Sequence, residues 1–209
     1  LYTLLLVTIQ NIVNYKKVIE GNKLMAHIQV IVGSTRPGRS GRKIADWFLQ
    51  QAQVPAGTTV ELIDLADINL PLLDEPMSAM MNQYSKDHTK EWSNIISKAD
   101  GYVFVTPEYN HGVSGALKNA IDYLYHEWGY KPVAFVGYGG MGATRAIESL
   151  VVTSSELKMF PLKSRVHVID VWSAVDADGN VDPALVRGDA TELLKEVVTV
   201  AEATKSLRA

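Results

Sequence analysis

The chain has 209 residues, of which 47% are hydrophobic and 21% charged, with a formal net charge of −3; this supports one substantial globular core rather than two full α/β domains. It contains no cysteine, which excludes disulfides, thiolate zinc sites, cysteine-ligated clusters and cysteine nucleophiles, and which suits the cytoplasm. Its basic residues form no concentrated stripe, so no dedicated nucleic-acid surface is expected.

The opening segment, "LYTLLLVTIQ", looks apolar, yet Thr3, Thr8, Gln10 and Asn11 interrupt the run. It falls short of the roughly 20 apolar residues that a membrane-spanning helix needs. No basic segment precedes it and no small-residue cleavage site follows, so it does not read as a secretion signal. Met25 stands directly before the first strand-like run. Residues 1–24 therefore read as an N-terminal extension, native or not, and residues 25–209 as a single domain without a membrane segment.

From residue 27 onward strand-like and helix-like segments alternate. "HIQVIV" (27–32) is a short apolar run ending in glycine, and Ile44, Trp47 and Phe48, with Ala45 and Ala52, then mark one helical face. "TVELID" (59–64) is the second strand, followed by the Pro-bearing loop "INLPLLDEP" and a polar helical stretch near 79–98. "GYVFVT" (101–106) is the third, stopped by Pro107; Ser114 is expected to cap a helix carrying Leu117, Ala120, Ile121 and Leu124. "PVAFVGY" (132–138) is the fourth, followed by a helix marked by Ala146, Ile147, Leu150, Val151 and Leu157. "RVHVID" (165–170) is the fifth, and Leu193, Leu194, Val197, Val198 and Ala201 lie on a last helix. Five strands separated by helices, most of them continuous apolar runs rather than alternating ones, predict a five-stranded parallel sheet covered on both faces.

In such a doubly wound α/β sandwich, with strand order 2-1-3-4-5, ligands bind beyond the carboxyl ends of the strands where the order reverses, here between strands one and three. The loops gathered there are "GSTRPGRSG" (33–41), "TPEYNHGVSG" (106–115) and "GYGGMGA" (137–143).

The first loop nearly spells G-x-x-x-x-G-K-[ST], with Arg39 in place of the lysine. Gly33 and Gly38 let backbone approach an anion, and the amides that open the next helix add a positive field. Ser34, Thr35 and Ser40 supply hydroxyls, while Arg36, Arg39 and Arg42 supply cationic forks. A terminal phosphate monoester fits this cup without a metal. A triphosphate would need the lysine and a Mg²⁺ shared with a strand-end aspartate, for which Asp64 and Asp170 are the candidates; forked Arg39 is a poor substitute there. A basic loop with no ligand is the plainer alternative.

In the second loop Pro107 ends the ladder, and Gly112 is expected to allow a turn close to a flat ligand. Tyr109 offers an aromatic edge, and Asn110 can donate and accept at the rim of a heteroaromatic ring. Glu108 and His111 are acid–base candidates, though no partner spacing supports that role. An ordinary strand–loop–helix junction is the alternative. In the third loop Gly137, Gly139, Gly140 and Gly142 keep the backbone close to whatever binds. The run contains G-x-G-x-x-G, but it follows the fourth strand rather than the first, which makes it a weak dinucleotide fingerprint.

Together, "GSTRPGRSGRKIADW" and "ADGYVFVTPEYNHGVSGALKNAIDYLYHEWGYKPVAFVGYGGMGATRA" resemble the NAD(P)H-dependent FMN reductase family, the flavodoxin-like quinone, azo-dye and chromate-type reductases, over roughly residues 27–205. The resemblance implies a flavodoxin-like fold, FMN as cofactor and NADPH or NADH as co-substrate. It implies phosphate contacts at Ser34, Arg36, Arg39 and Ser40, which the Thr35 hydroxyl is expected to join. It places the flavin ring beside Pro107, Glu108, Tyr109, Asn110 and the Gly112 turn, with backbone contacts from Gly137 and Tyr138 through Gly139 and Gly140. It further implies a homodimer or dimer of dimers, with Trp128 either beside the partner's flavin or in the core.

If FMN binds, the flavin carries the redox chemistry and no metal or catalytic side chain is required. Tyr109 and Asn110 then shape the ring's surroundings. The expected cycle is ping-pong, from nicotinamide through FMN to a quinone, azo compound, flavin or similar small acceptor. A flavodoxin-type electron carrier, or an FMN-binding redox-responsive module without turnover, is the alternative; the near-balanced charge favours the reductase.

Overall fold

The computed structural model describes residues 25–208; the reading of residues 1–24 lies outside them. β1 (His27–Val32) leads through the first loop into α1 (Gly41–Gln51). β2 (Thr59–Asp64) is followed by the single turn α2 (Leu65–Ile68) and then by α3 (Asp87–Ser97). β3 (Gly101–Pro107), α4 (Gly115–Asp122), β4 (Pro132–Gly139) and α5 (Thr144–Glu156) continue the alternation. β5 (Phe160–Ile169), the short α6 (Val171–Ala174), β6 (Val186–Arg187) and α7 (Ala190–Ala203) complete it. No helix among the described residues is long and apolar enough to cross a membrane.

The sheet runs β2-β1-β3-β4-β5-β6, the expected order with a sixth strand added at the edge. The first five strands pair in parallel and β6 pairs antiparallel with β5. Two residues, Val186 and Arg187, are too few to carry a period-2 signal, which is why the sequence reading stops at five. β5 also starts earlier than expected, at Phe160, because Lys163 and Ser164 interrupt its apolar run. The ladder with β4 shifts register there, between Val133 and Phe135.

Each central strand is buried on both faces, and its alternate side chains enter two separate cores. On one side Ile28, Val30, Val103, Val105, Val136 and Val166 pack under α1 and α7, against Ile44, Phe48, Leu193 and Val197. On the other, Ile31, Phe104 and Phe135 meet Trp92 and Ile96 of α3, Leu117 and Ile121 of α4, and Ile147 of α5. Each fully buried aliphatic or aromatic side chain contributes about 1.5–3 kcal/mol relative to exposure, so these two layers fix the strand order that assembles the loops.

One expectation is corrected here, and one pair of alternatives is decided. The polar stretch 79–98 is one helix only from Asp87; before it stands a short 3-10 turn at Ala79–Met81, closed by left-handed Asn82. The Glu75 carboxylate accepts the backbone N–H groups of Ser85 and Lys86 at about 2.9 Å, which holds that chain off helical geometry. Trp128 is 1% exposed, edge-on to Trp92, Tyr102 and Phe104, with Nε1 donating to Ile121 O at 3.1 Å. It is a core residue, unable to touch a partner's flavin.

Candidate active site

The parallel register brings the strand ends level. Val32 pairs with Asp64 and its neighbour Val105, Pro107 with Tyr138, and Gly139 with Ile169. The loops leaving these ends therefore meet along the carboxyl edge. The first one begins where the Gly33 N–H donates to Val105 O at 2.8 Å and Ser114 Oγ donates to Gly33 O. Ser114 also accepts from Leu117 N, so the cap expected for α4 is present and ties α4 to this loop.

The cup itself is built on the start of α1. Its N-cap, Ser40, makes no side-chain capping bond, and the first turn holds no acidic residue. By contrast Asp64, Ser114 and Asp189 cap the helices that follow them. The first-turn amides of α1 thus stay open to an anion. Gly38 turns the loop at φ +68°, with open space around its Cα.

Arg39 is held rather than free. Its Nη2 donates to Asp64 Oδ2 at 2.6 Å, while Nε is buried with no partner. Asp64 is 6% exposed and also accepts from Ala66 N. The strand-end aspartate weighed as a Mg²⁺ ligand therefore serves as an arginine anchor and helix cap. Arg36 lies exposed and, among the described residues, bonds only the neighbouring Pro37 carbonyl, so its charge is available at the mouth. Arg42 pairs with Asp46 at 3.0 Å on the outside of α1.

Behind the cup, Tyr138 Oη donates to Ser34 Oγ at 2.8 Å. Burial pushes the Tyr138 phenol well above its ordinary value, so it remains a neutral donor. Gly41 packs against this pair: a Cβ there would sit 2.6 Å from Tyr138 Oη and closer still to Ser34 Oγ.

The second loop forms a tight turn. Tyr109 N donates to Gly112 O at 3.0 Å and Gly112 N to Tyr109 O at 2.9 Å. The left-handed residues are Asn110 (φ 50°) and His111 (φ 66°), residue types that tolerate that region. Gly112 has ordinary φ and an unobstructed Cβ position, so the turn does not rest on this glycine's freedom. Glu108 points away from the turn, accepting from Arg145 N at 2.9 Å and Ala146 N at 3.4 Å and pairing with the Arg145 guanidinium. Burial works to raise its carboxyl, but these donors outweigh burial and hold it below the usual range. Glu108 is the cap of α5, supplied from another loop.

The third loop folds back on its own strand. A Cβ at Gly137 would lie 2.7 Å from Ile147 Cδ1 and against Gly142 O, and Gly142 (φ +62°) sits over His167. Gly139, Gly140 and Tyr138 then line one cleft with Arg36, Arg39, Ser40, Pro107, Glu108 and Tyr109, joined by Val171 and Trp172 of α6. The cleft does not take in every expected residue. Ser34 lies behind it, Gly137 is buried in β4, Thr35 borders a separate hollow between α2 and α4, and Asn110 and Gly112 lie outside its lining.

A family model for NADPH-dependent FMN reductases matches residues 26–173. The chain belongs to the NADPH-dependent FMN reductase family. It is 41% identical over 165 residues to the NAD(P)H-dependent FMN reductase ntnL of Nectria sp, covering 73% of this chain and 82% of that one. It is 34% identical over 135 residues to a quinone reductase of Pseudomonas putida, covering 60% and 69%. Among solved structures, the flavoenzyme NAD(P)H:(acceptor) oxidoreductase FerB of Paracoccus denitrificans superposes with a TM-score of 0.60 at 22% identity, over 88% of this chain and 97% of that one, a likeness of fold.

Within this family member, sequence reasoning missed Gly41, Arg145 and Trp172. Gly41 closes the quoted loop, and its place at the helix start was a usable signal. Trp172 follows directly on the fifth strand, so the rule that sites lie at carboxyl ends could have found it. Arg145 carried no local signal, because its partner Glu108 lies 37 positions away.

Proposed function

We propose that this FMN reductase family member holds the FMN phosphate in the cup at Arg36, Arg39, Ser40 and the open amides of α1, and passes reducing equivalents from NAD(P)H to quinone-type acceptors by a ping-pong cycle. The observation that carries the phosphate assignment is the buried, partnerless Nε of Arg39 beside a helix start that no side chain caps. Both are donors that a phosphate monoester satisfies. When bound, FMN supplies the two-electron chemistry.

The chain's own residues position and exclude. Asp64 aims the Arg39 guanidinium, and Tyr138 holds Ser34 and through it the wall of the cup. The Gly139–Gly140 backbone offers a flat floor, and Tyr109 and Asn110 form the rim of the ring site. Glu108 takes no part in proton transfer, because its carboxylate is spent on α5. Nicotinamide and acceptor would use the same cleft in turn. The quinone reductase relative supports a quinone as acceptor. Residues 25–209 act as one unit, in the cytoplasm.

Arg36→Ala is the cleaner test, because among the described residues Arg36 bonds only its neighbour Pro37, whereas removing Arg39 also strands the Asp64 carboxylate. Losing one charge-assisted phosphate contact is expected to weaken FMN binding roughly tenfold or more, read by quenching of flavin fluorescence on titration. Undiminished FMN affinity in both Arg36→Ala and Arg39→Ala would overturn the phosphate assignment.

A further inference from the structure

α6 is a single helical turn with two buried and two exposed residues, and one of the exposed pair is a tryptophan. Val171 and Ala174 are 7% and 2% exposed and anchor it, while Trp172 between them is 79% exposed. The chain enters this turn through Asp170 in the left-handed region (φ 46°), whose N–H donates to Gly140 O at 3.3 Å. The turn is thereby pinned to the glycine loop. The Trp172 ring passes 3.6 Å from the position a Cβ on Gly140 would take. Of the other tryptophans, Trp92 and Trp128 are buried and Trp47 packs against the core.

A tryptophan carries some of the largest apolar surface of any side chain, and leaving it in water is the informative exception. Strand order supplies the reason. β3 and β5 flank β4, so Tyr109 after β3 and Trp172 after β5 stand on either side of the Gly139–Gly140 floor. Both aromatics line the same cleft, and both are exposed. The phosphate cup lies on the β1 side of this cleft, whereas Trp172 follows β5, two strands beyond β3.

We propose that Trp172 is a specificity-determining residue of this cleft, the stacking wall for a planar aromatic electron acceptor. The proposal rests on the FMN reading above. A quinone presents an electron-poor face that the indole stacks on; an octahedral acceptor such as ferricyanide has no such face and gains little from it.

The test uses the FMN-loaded enzyme with NADPH, comparing a naphthoquinone with ferricyanide. In Trp172→Ala, KM for the naphthoquinone is expected to rise about fivefold, and the ratio of kcat/KM for naphthoquinone over ferricyanide to fall by the same factor. Trp172→Phe should recover most of the loss. Without NADPH, the naphthoquinone should quench tryptophan fluorescence saturably in the wild type and lose that phase in Trp172→Phe. An unchanged ratio, or a loss cured by excess FMN, would overturn the proposal. Failure of the wild type to bind FMN would instead overturn the reading beneath it.

Discussion

Glu108 sits in the loop expected to face the flavin, and its carboxylate is committed to the start of α5. Its lowered pKa has a definite sign for stability. The charged form is favoured in the fold, so its contribution is present above the ordinary Glu value near 4.3 and is lost as pH falls through the folded value. Glu108→Gln is expected to cost about 1–2 kcal/mol, a drop in Tm of about 2–8 °C at pH 7. The two melting curves should converge once the pH falls below the lowered folded value; a constant gap would show that the charge is not what matters. The same residue shows why side-chain roles were only partly legible in the sequence. "PEYN" announced a special loop, but nothing near Glu108 announced Arg145. Trp128 stayed undecided between core and interface for the same reason, since only the packed aromatic cluster distinguishes the two.

At the scale of elements, the start of α1 is where local preference and site geometry disagree. Alanine in place of Gly41 would favour the helix by about 1 kcal/mol. Its Cβ would meet Ser34 and Tyr138 at distances no real contact shows, and overpacking of this kind costs roughly 1–3 kcal/mol. The clash wins, so Gly41→Ala should lower both Tm and FMN affinity. A variant that is more stable and retains FMN would show that the Ser34–Tyr138 pair can move aside without consequence. The central strands β1, β3 and β4 were the most legible, because both faces are covered and their apolar runs are unbroken. β6 and the break in β5 were not, because two residues and a register shift leave no periodic trace.

For the whole molecule, strand order alone decides which loops meet, and it was readable from the alternation of elements. What the sheet places on its outside is a separate matter. Leu72 is 83% exposed, and Met77, Met80 and Met81 on the same connection are 44–57% exposed, an apolar grouping that suits the homodimer or dimer of dimers implied by the family resemblance. Light scattering should give about twice the 23.0 kDa chain mass; a monomer at all concentrations would contradict that assembly. The central claim is that this cleft runs flavin chemistry fed by a nicotinamide. Its most direct test is an anaerobic absorption titration of the FMN-loaded protein with NADPH, followed by addition of a quinone. Stoichiometric bleaching of the flavin band and its return with quinone is the expected result. A protein that takes up no FMN, or whose bound flavin stays oxidised under excess NADPH and NADH, would contradict it.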